Sequence, residues 1–254
     1  LFLGGGLAQN SSLINYLYKK GDYKRVLTST SCSDRGNSLG SLIAFLRSKG
    51  IILNSVSPFL GYEESINKSP ISNSDIDEAS HMISEGKVLA IIEGRAELGA
   101  RALCNRSIIA SPVSAGMKDY LNLNIKHRES FRPFAPVLME KKTKEYFEEW
   151  ETLKDHQHMT RCILAKKNTS EKYPSAVHID KTSRVQVVKE EDSHRRIHSL
   201  LQSVEHNYGI EILINTSLNN NGMPIVNNFA DYQKQVKHLN LSGIIYNGKL
   251  IKHG

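Results

Sequence analysis

The chain is poor in what membranes, disulfide scaffolds and base-stacking platforms require. None of its apolar runs approaches the ~20 residues of a bilayer-spanning helix, and no signal peptide is visible. The three cysteines, Cys32, Cys104 and Cys162, show neither paired metal-ligand spacing nor a disulfide framework, which points to a reducing, cytoplasmic compartment. Aromatic residues make up 7%. They are not interleaved with basic residues, so a nucleic-acid partner is poorly supported. An initiator methionine is also missing. The sequence opens Leu1-Phe2-Leu3-Gly4-Gly5-Gly6, a buried strand running into a glycine turn, so the expectation is that an N-terminal part of a longer protein is absent.

What is present describes a globular protein with an excess of cations. Hydrophobic residues are 39% and charged residues 23% of 254, enough for one large domain or two smaller ones. The formal charge of +7 favours anionic partners: nucleotides, phosphorylated metabolites or RNA. Residues 93–136 organise the rest. They hold five arginines and two lysines against four acids, Glu93, Glu97, Asp119 and Glu129. For any one arginine, pairing with these acids is as good a reading as a binding role. For the group it is not, because four acids cannot neutralise seven cations, and Pro133 and Pro136 argue against an ordinary amphipathic helix. Glycine lets backbone N–H groups approach an anion, and arginine offers a planar fork of donors, so the stretch reads as a phosphate site.

Along the chain, strands and helices alternate, which predicts an α/β fold. The glycine turn leads into a helix near 10–20; 26–28 form a second strand, 31–36 a polar turn, and a helix over 38–49 is stopped by Gly50. Residues 51–75 read as a linker with one anchored turn at 58–61, and a domain boundary falls near 69, dividing the chain into 1–68 and 69–254. Ser74 with Asp77 or Glu78 starts a helix that ends at Gly86. Residues 88–92 make a buried strand. Periodicity then gives a helix over 141–150 with Tyr146, Phe147 and Trp150 on one face, strands over 161–165 and 183–188 (the latter half-buried), and a helix over 194–208 stopped by Gly209. A strand over 211–214, a turn at 222–224, a helix over 231–239 and a last strand over 243–246 complete the chain. His156 and His158 read as a polar loop rather than a metal pair. The tip Asn215-Thr216-Ser217-Leu218-Asn219 is either a ligand-recognising strand end or a self-bonded turn.

Four motifs in order carry a resemblance. They are Gly94-Arg95 through Gly99-Ala100-Arg101 to Asn105-Arg106-Ser107; Lys126-His127-Arg128 to Arg132-Pro133-Phe134-Ala135-Pro136; His178 to Thr182 and Arg184; and the 215–219 tip. From about residue 76 to the C-terminus the chain closely resembles the C-terminal domain of O-carbamoyltransferases of the nodulation and antibiotic-tailoring type. That domain is similar to the enzymes that make threonylcarbamoyl-adenylate for tRNA modification, whose Lys-x-Arg and Ser-x-Asn pairs match Lys126/Arg128 and Ser217/Asn219. The implied fold is a YrdC-like twisted mixed sheet with helices. Residues 1–68 resemble the tail of an actin-like ATPase domain, in which Gly5 and Gly6 belong to a nucleotide-contacting turn and Asp34 to an Fe2+ or other divalent metal site. The histidines completing that site would lie upstream.

The resemblance implies that carbamoyl phosphate is cleaved to carbamate, that carbamate reacts with ATP to give carbamoyl-adenylate and pyrophosphate, and that the carbamoyl group then passes to a hydroxyl-bearing acceptor. Lys126 and Arg128 would neutralise phosphates; Arg95, Arg101, Asn105, Arg106, Ser107, Arg132, Arg184 and Asn215 are further contacts; Ser217 and Asn219 would position the nucleotide. His178 has an acid–base, carbamoyl-contacting or structural role. Mg2+ is expected with ATP. Rival readings are a threonylcarbamoyl-adenylate enzyme and a basic RNA-binding module. The chain departs from the family pattern at Ala100 (proline is usual), Cys104 and Lys181 (glycine), Leu218 (aromatic) and Met223 (glutamate). Cys104 puts a side chain where backbone is expected to approach the ligand.

Overall fold

Short runs rich in isoleucine, leucine and valine build the core. In the computed structural model, which describes residues 1–53, 56–63, 71–192 and 195–253, they form an eight-stranded mixed sheet. Its strands are β3 (Leu89–Ile92), β4 (Arg106–Ala110), β5 (Ala135–Met139), β6 (His158–Leu164), β7 (Thr182–Val188), β8 (Ile212–Ser217), β9 (Gly243–Tyr246) and β10 (Lys249–Lys252), following a separate pair, β1 (Phe2–Leu3) and β2 (Leu27–Thr28). The order is β10-β9-β3-β4-β8-β5-β7-β6, with β3/β9 and β5/β7 parallel and the other neighbours antiparallel.

Because successive strand residues point to opposite faces, the sheet makes two cores. Leu89, Ile91 and Ile109 pack on one side with Ile83, Leu200 and Val204; Ala90, Ile92 and Ile108 pack on the other with Leu121, Ile125 and Tyr232. The first side is covered by α3 (Asn73–Ser84) and α7 (Arg196–Tyr208). The second is covered by α4 (Met117–Tyr120) with its continuation Leu121–Ile125 as one wide π-helical turn, and by α8 (Phe229–Gln235). Coverage on both faces buries six of the seven β7 residues, so that strand is not half-buried as its alternation suggests.

The N-terminal residues add α1 (Ser11–Lys20), capped by Asn10, and α2 (Asn37–Ser48). Helix α1 docks on the β6 edge. Arg161 of β6 lies 4.0 Å over the Tyr18 ring and donates to Asn15, while Arg25 pairs with Asp155. The opening strand pairs only with β2, leaving Phe2 69% exposed, so it is not buried.

Three other expectations change. The 141–150 helix is only α5 (Thr143–Tyr146): Phe147 leaves it extended to bridge Ala165, and Glu149 adopts φ 50° before a 3-10 turn. An additional short helix, α6 (Lys167–Lys172), follows β6. Residues 231–239 yield a helix that starts and stops earlier, and β10 follows the expected last strand through Asn247 and Gly248, both at positive φ as a tight hairpin turn demands. The boundary near 69, and residue 194 at the expected helix start, lie outside the described residues.

Candidate functional site

Four chain segments meet at one end of the sheet. The loop 93–105 leaves β3 and enters β4, 126–134 enters β5, 178–181 enters β7, and β8 ends at Ser217 beside Ser107. They enclose a cleft of about 120 Å³ lined by Arg101, Arg128, Arg184, Phe134, Asn215 and Ser217 among others. A second groove of about 450 Å³, lined by His127, Arg132 and Asn221, shares Arg128 with it.

Among the described residues no carboxylate lines the small cleft. Arg128 Nε donates to Asn122 Oδ1 at 2.7 Å and its guanidinium lies 4.8 Å from the Phe134 ring centre; Arg101 donates to the Gln9 carbonyl at 3.3 Å. Arg184 Nε is buried with no hydrogen-bond partner. Burial pushes all three guanidiniums below their ordinary value, and like-charge neighbours add to it: Arg132 beside Arg128, Arg35 near Arg101, and Arg101 with Arg128 near Arg184. Three uncompensated cations around one small space create an anion site.

Lys126 lies beside the cleft, against its lining residue Ser217. It is 3% exposed, and its ammonium donates to Ser217 O (2.8 Å), Asn219 O (2.9 Å) and Asn219 Oδ1 (2.7 Å), while Ser217 Oγ donates to Asn219 Oδ1 (2.6 Å). The two pairs singled out in the sequence therefore form one unit. Burial, and then Arg128, push the Lys126 ammonium down to about 7. The wide turn 121–125 sets up this geometry, because the Lys126 N–H bonds back to Leu121 O and the Asn122 side chain, which takes the Arg128 bond, reaches the carbonyls of Ser130 and Arg132.

The remaining sequence candidates are placed differently. Arg106 is wholly buried and directs its guanidinium to the carbonyls of Glu93, Gly94, Asn105 and Asn227, away from the cleft. Asn105 bridges the Arg95 carbonyl and Arg195, and Ser107 Oγ accepts the Cys104 N–H. These three hold the loop. Arg95 pairs with Glu63 and Arg132 with Glu129, both at the surface. His178, pushed down by burial, sits behind Arg184 with Nδ1 3.1 Å from Thr182 Oγ1. Gly5 and Gly6 lie exposed at the 3-10 turn before α1, Asp34 is exposed, and among the described residues no three His, Cys, Asp or Glu side chains converge as metal ligands. One exposed carboxylate does not fit a divalent metal site, so no step is assigned to one.

Sequence reasoning missed Glu97 and Gln186. Glu97 Oε1 accepts the N–H groups of Leu103, Asn105 (2.9 Å) and Arg106 (3.2 Å), so it shapes the loop instead of neutralising an arginine. Glu93 pairs with Arg196. Carboxylates near the site are thus engaged away from it. The signal lay in the glycines flanking Glu97, since a loop that turns this sharply needs its N–H groups satisfied. Cys104 and Lys181, where glycine was expected, sit at φ 73° and 61°. Both lie in the left-handed region that favours glycine, and the Cys104 side chain belongs to the core.

A YrdC-like α/β domain carrying an anion cleft at one sheet end is the class that fold and site define. Solved structures of that fold include Sua5 of P. abyssi (TM-score 0.51, 14% identity, 72% of this chain and 51% of that one) and full-length HypF (TM-score 0.50, 17% identity, 70% and 25%). The chain belongs to the carbamoyltransferase family: the model described as "Carbamoyltransferase C-terminus" matches residues 80–253. Relatives include nodulation protein NolNO of Sinorhizobium fredii, 29% identical over 99% of this chain and 39% of that protein. The 3'-hydroxymethylcephem-O-carbamoyltransferase of Amycolatopsis lactamdurans is 31% identical over 91% and 44%. The chain thus spans less than half the length of either relative. None of the described helices is long and apolar enough to cross a membrane.

Proposed function

We propose that this chain is the adenylate-forming part of a cytoplasmic O-carbamoyltransferase, with the transfer step residing in polypeptide that precedes it in its relatives. The observation that carries the reading is a cleft lined by three arginines and, among the described residues, by no carboxylate, with the Lys126–Ser217–Asn219 unit joining it at Ser217. Carbamate is a weak, unstable nucleophile. It must be held beside the α-phosphate of ATP, out of water, where buried cations stabilise the charge that develops as carbamate oxygen bonds phosphorus and pyrophosphate leaves. Arg101, Arg128 and Arg184 bind carbamoyl phosphate and then carbamate; Lys126 steadies the leaving pyrophosphate; Ser217 and Asn219 orient the phosphates. Among the described residues no carboxylate lines the cleft, so Mg2+ would arrive with the phosphates of ATP and would supply charge neutralisation there. Residues 1–68 are read as the end of an actin-like domain that would pass the carbamoyl group to a hydroxyl, as the hydroxymethylcephem relative's name implies for that protein.

Purified chain given carbamoyl phosphate, ATP and Mg2+ is expected to release phosphate and pyrophosphate. Lys126→Ala and Ser217→Ala are each expected to lower pyrophosphate release by about 100-fold or more. Pyrophosphate release independent of carbamoyl phosphate would overturn the reading. Acceptor carbamoylation by this chain alone would overturn the assignment of transfer to the preceding polypeptide.

A further inference from the structure

The loop 93–105 that carries Arg101 is held in two different ways along its length. Its second half is bonded to the sheet: Asn215 Nδ2 donates to the Ala102 carbonyl at 3.0 Å, and the Cys104 thiol and the Asn215 amide both donate to Gln186 Oε1. Its first half meets residues 56–63, part of the stretch whose sequence reads as a linker. There the two run antiparallel. The Gly61 N–H donates to Ala96 O at 2.9 Å, the Ala96 N–H to Tyr62 O at 2.8 Å and the Leu98 N–H to Pro58 O at 2.7 Å, with Glu63 bridged to Arg95. The fit is close, since a Cβ on Gly61 would stand 2.9 Å from Ala96 O. Between these bonds sits the half-buried Phe59. Its ring stands 4.4 Å from the Arg195 guanidinium, which itself donates to Leu103 O and Asn105 Oδ1, and it packs on Leu103, Ala135 and Met159.

None of residues 56–63 lines the anion cleft, yet what they hold does: Ala100, Arg101 and Ala102 follow the pinned stretch, and Ala135 and Met159 touch Phe59. Met159 sits at φ 62°, where the pairing of β6 with β7 shifts register, a backbone state that persists only where neighbours impose it. The cluster around Phe59 is separate from both cores of the sheet, so loosening it changes the walls of the cleft before it threatens the fold. We infer that residues 58–62 are a clasp that sets the geometry of the anion cleft, with Phe59 as its positioning residue. Phe59 acts through Arg195 and the loop on Arg101, and through Ala135 and Met159 on the rest of the lining. The inference rests on the anion-binding part of the reading given under Proposed function. A displacement of ~1 Å in a binding group costs on the order of 100-fold, so a side chain outside the cleft can govern it. By reciprocity, an anion that fixes Arg101 tightens the clasp.

The test follows amide hydrogen exchange, binding of inorganic phosphate and pyrophosphate release by the purified chain. In wild-type chain, saturating phosphate is expected to slow exchange of the Gly61, Ala96 and Leu98 amides by at least about threefold. The Gly209 amide, which ends α7, should exchange as before. Phe59→Ala and Gly61→Ala are each expected to weaken phosphate binding about tenfold and to raise the KM for carbamoyl phosphate more than they lower kcat. Their Tm should fall by a few degrees at most. Phe59→Tyr keeps the ring and should restore wild-type behaviour. A merely structural clasp would lower Tm and leave both the affinity of the folded fraction and the exchange pattern untouched. Wild-type chain that binds phosphate with no slowing at the three amides therefore overturns the inference without any variant having to fold. Variants that fold and bind phosphate as the wild type does overturn it as well. If either occurs while pyrophosphate release still depends on carbamoyl phosphate, only the inference fails. If folded chain binds no phosphate and releases no pyrophosphate, the functional reading fails and the inference with it.

Discussion

Two clusters of basic residues in this molecule receive opposite treatment. Around Glu211, two lysines and two tyrosines converge on one carboxylate: Lys142 and Tyr146 donate to it, Lys172 does so at 2.7 Å, and Tyr173 OH lies at 3.4 Å. Burial alone would push Glu211 up, but the hydrogen bonds from Lys142 and Lys172 outweigh it and hold the carboxyl at about 2. In the cleft, Arg101, Arg128 and Arg184 meet a carbonyl, an amide, the Phe134 ring and one another, and no carboxylate among the described residues lines it. A cation that has its carboxylate is part of the architecture. Cations held by neutral oxygens keep their charge available, and the fold bears their repulsion until an anion arrives.

The contrast can be broken most sharply at Arg106, which belongs by motif to the cationic stretch and by contact to the architecture. Arg106→Ala takes the donor from four carbonyls, two of them in buried contacts, and is expected to destabilise the chain by about 3–5 kcal/mol in denaturant unfolding. Nucleotide binding lost at unchanged stability would instead return Arg106 to the cleft. Next come the reciprocal variants. Glu211→Gln should lose about 2 kcal/mol of stability and no affinity for sulfate. Arg184→Gln should lose about tenfold in sulfate affinity, close to 1.4 kcal/mol, and no stability. If each variant affects both properties equally, the division is wrong.

Proton linkage sharpens the same division. Lys126 titrates near 7 when folded and near the ordinary lysine value when unfolded. Between these the unfolded chain binds more protons, so stability rises with pH from about 7 upward. Sulfate affinity should fall over the same window, by roughly tenfold from pH 6 to pH 9, because the ammonium loses its charge and sulfate does not titrate. Lys126→Met should flatten both slopes. Glu211 acts at the other end: its contribution is present above the ordinary carboxylate value and is lost as pH falls through about 2. The smallest effect is expected at Cys104. Cys104→Gly relieves a left-handed residue and removes a buried thiol, two terms of about 1 kcal/mol with opposite sign. Unfolding midpoints should differ by a few degrees at most.

Much of the fold was legible in the sequence because capping and stopping residues bracket the helices: Asn10 before α1, Gly86 after α3 and Gly209 after α7 act as their types predict. Strands β4 and β5 were hidden inside the stretch read for its charge, since a buried arginine and a strand proline obscure the apolar pattern. The hairpin signal at Asn247-Gly248 was overlooked. At the site, Lys126, Arg128, Ser217 and Asn219 are brought together by the fold, whereas Arg106, Asn105 and Ser107 are turned inward. Residue type alone does not separate these, because an arginine satisfied by carbonyls and one awaiting an anion have the same spelling. What separates them is where neighbouring carboxylates are engaged, a long-range property set by Arg196 and by the loop around Glu97.

The docking of the N-terminal residues has a thermodynamic corollary. Arg101 reaches the Gln9 carbonyl, Ser31 Oγ donates to Leu98 O, and any Cβ on Gly99 would meet Thr30 O at 2.5 Å. The loop that carries a cleft cation is therefore also a seat for residues 9–31. If an anion steadies this loop, it strengthens the seating, and by reciprocity the seating strengthens the anion's hold by the same factor. Occupancy of the cleft and cohesion of the two regions are two readings of one coupling energy.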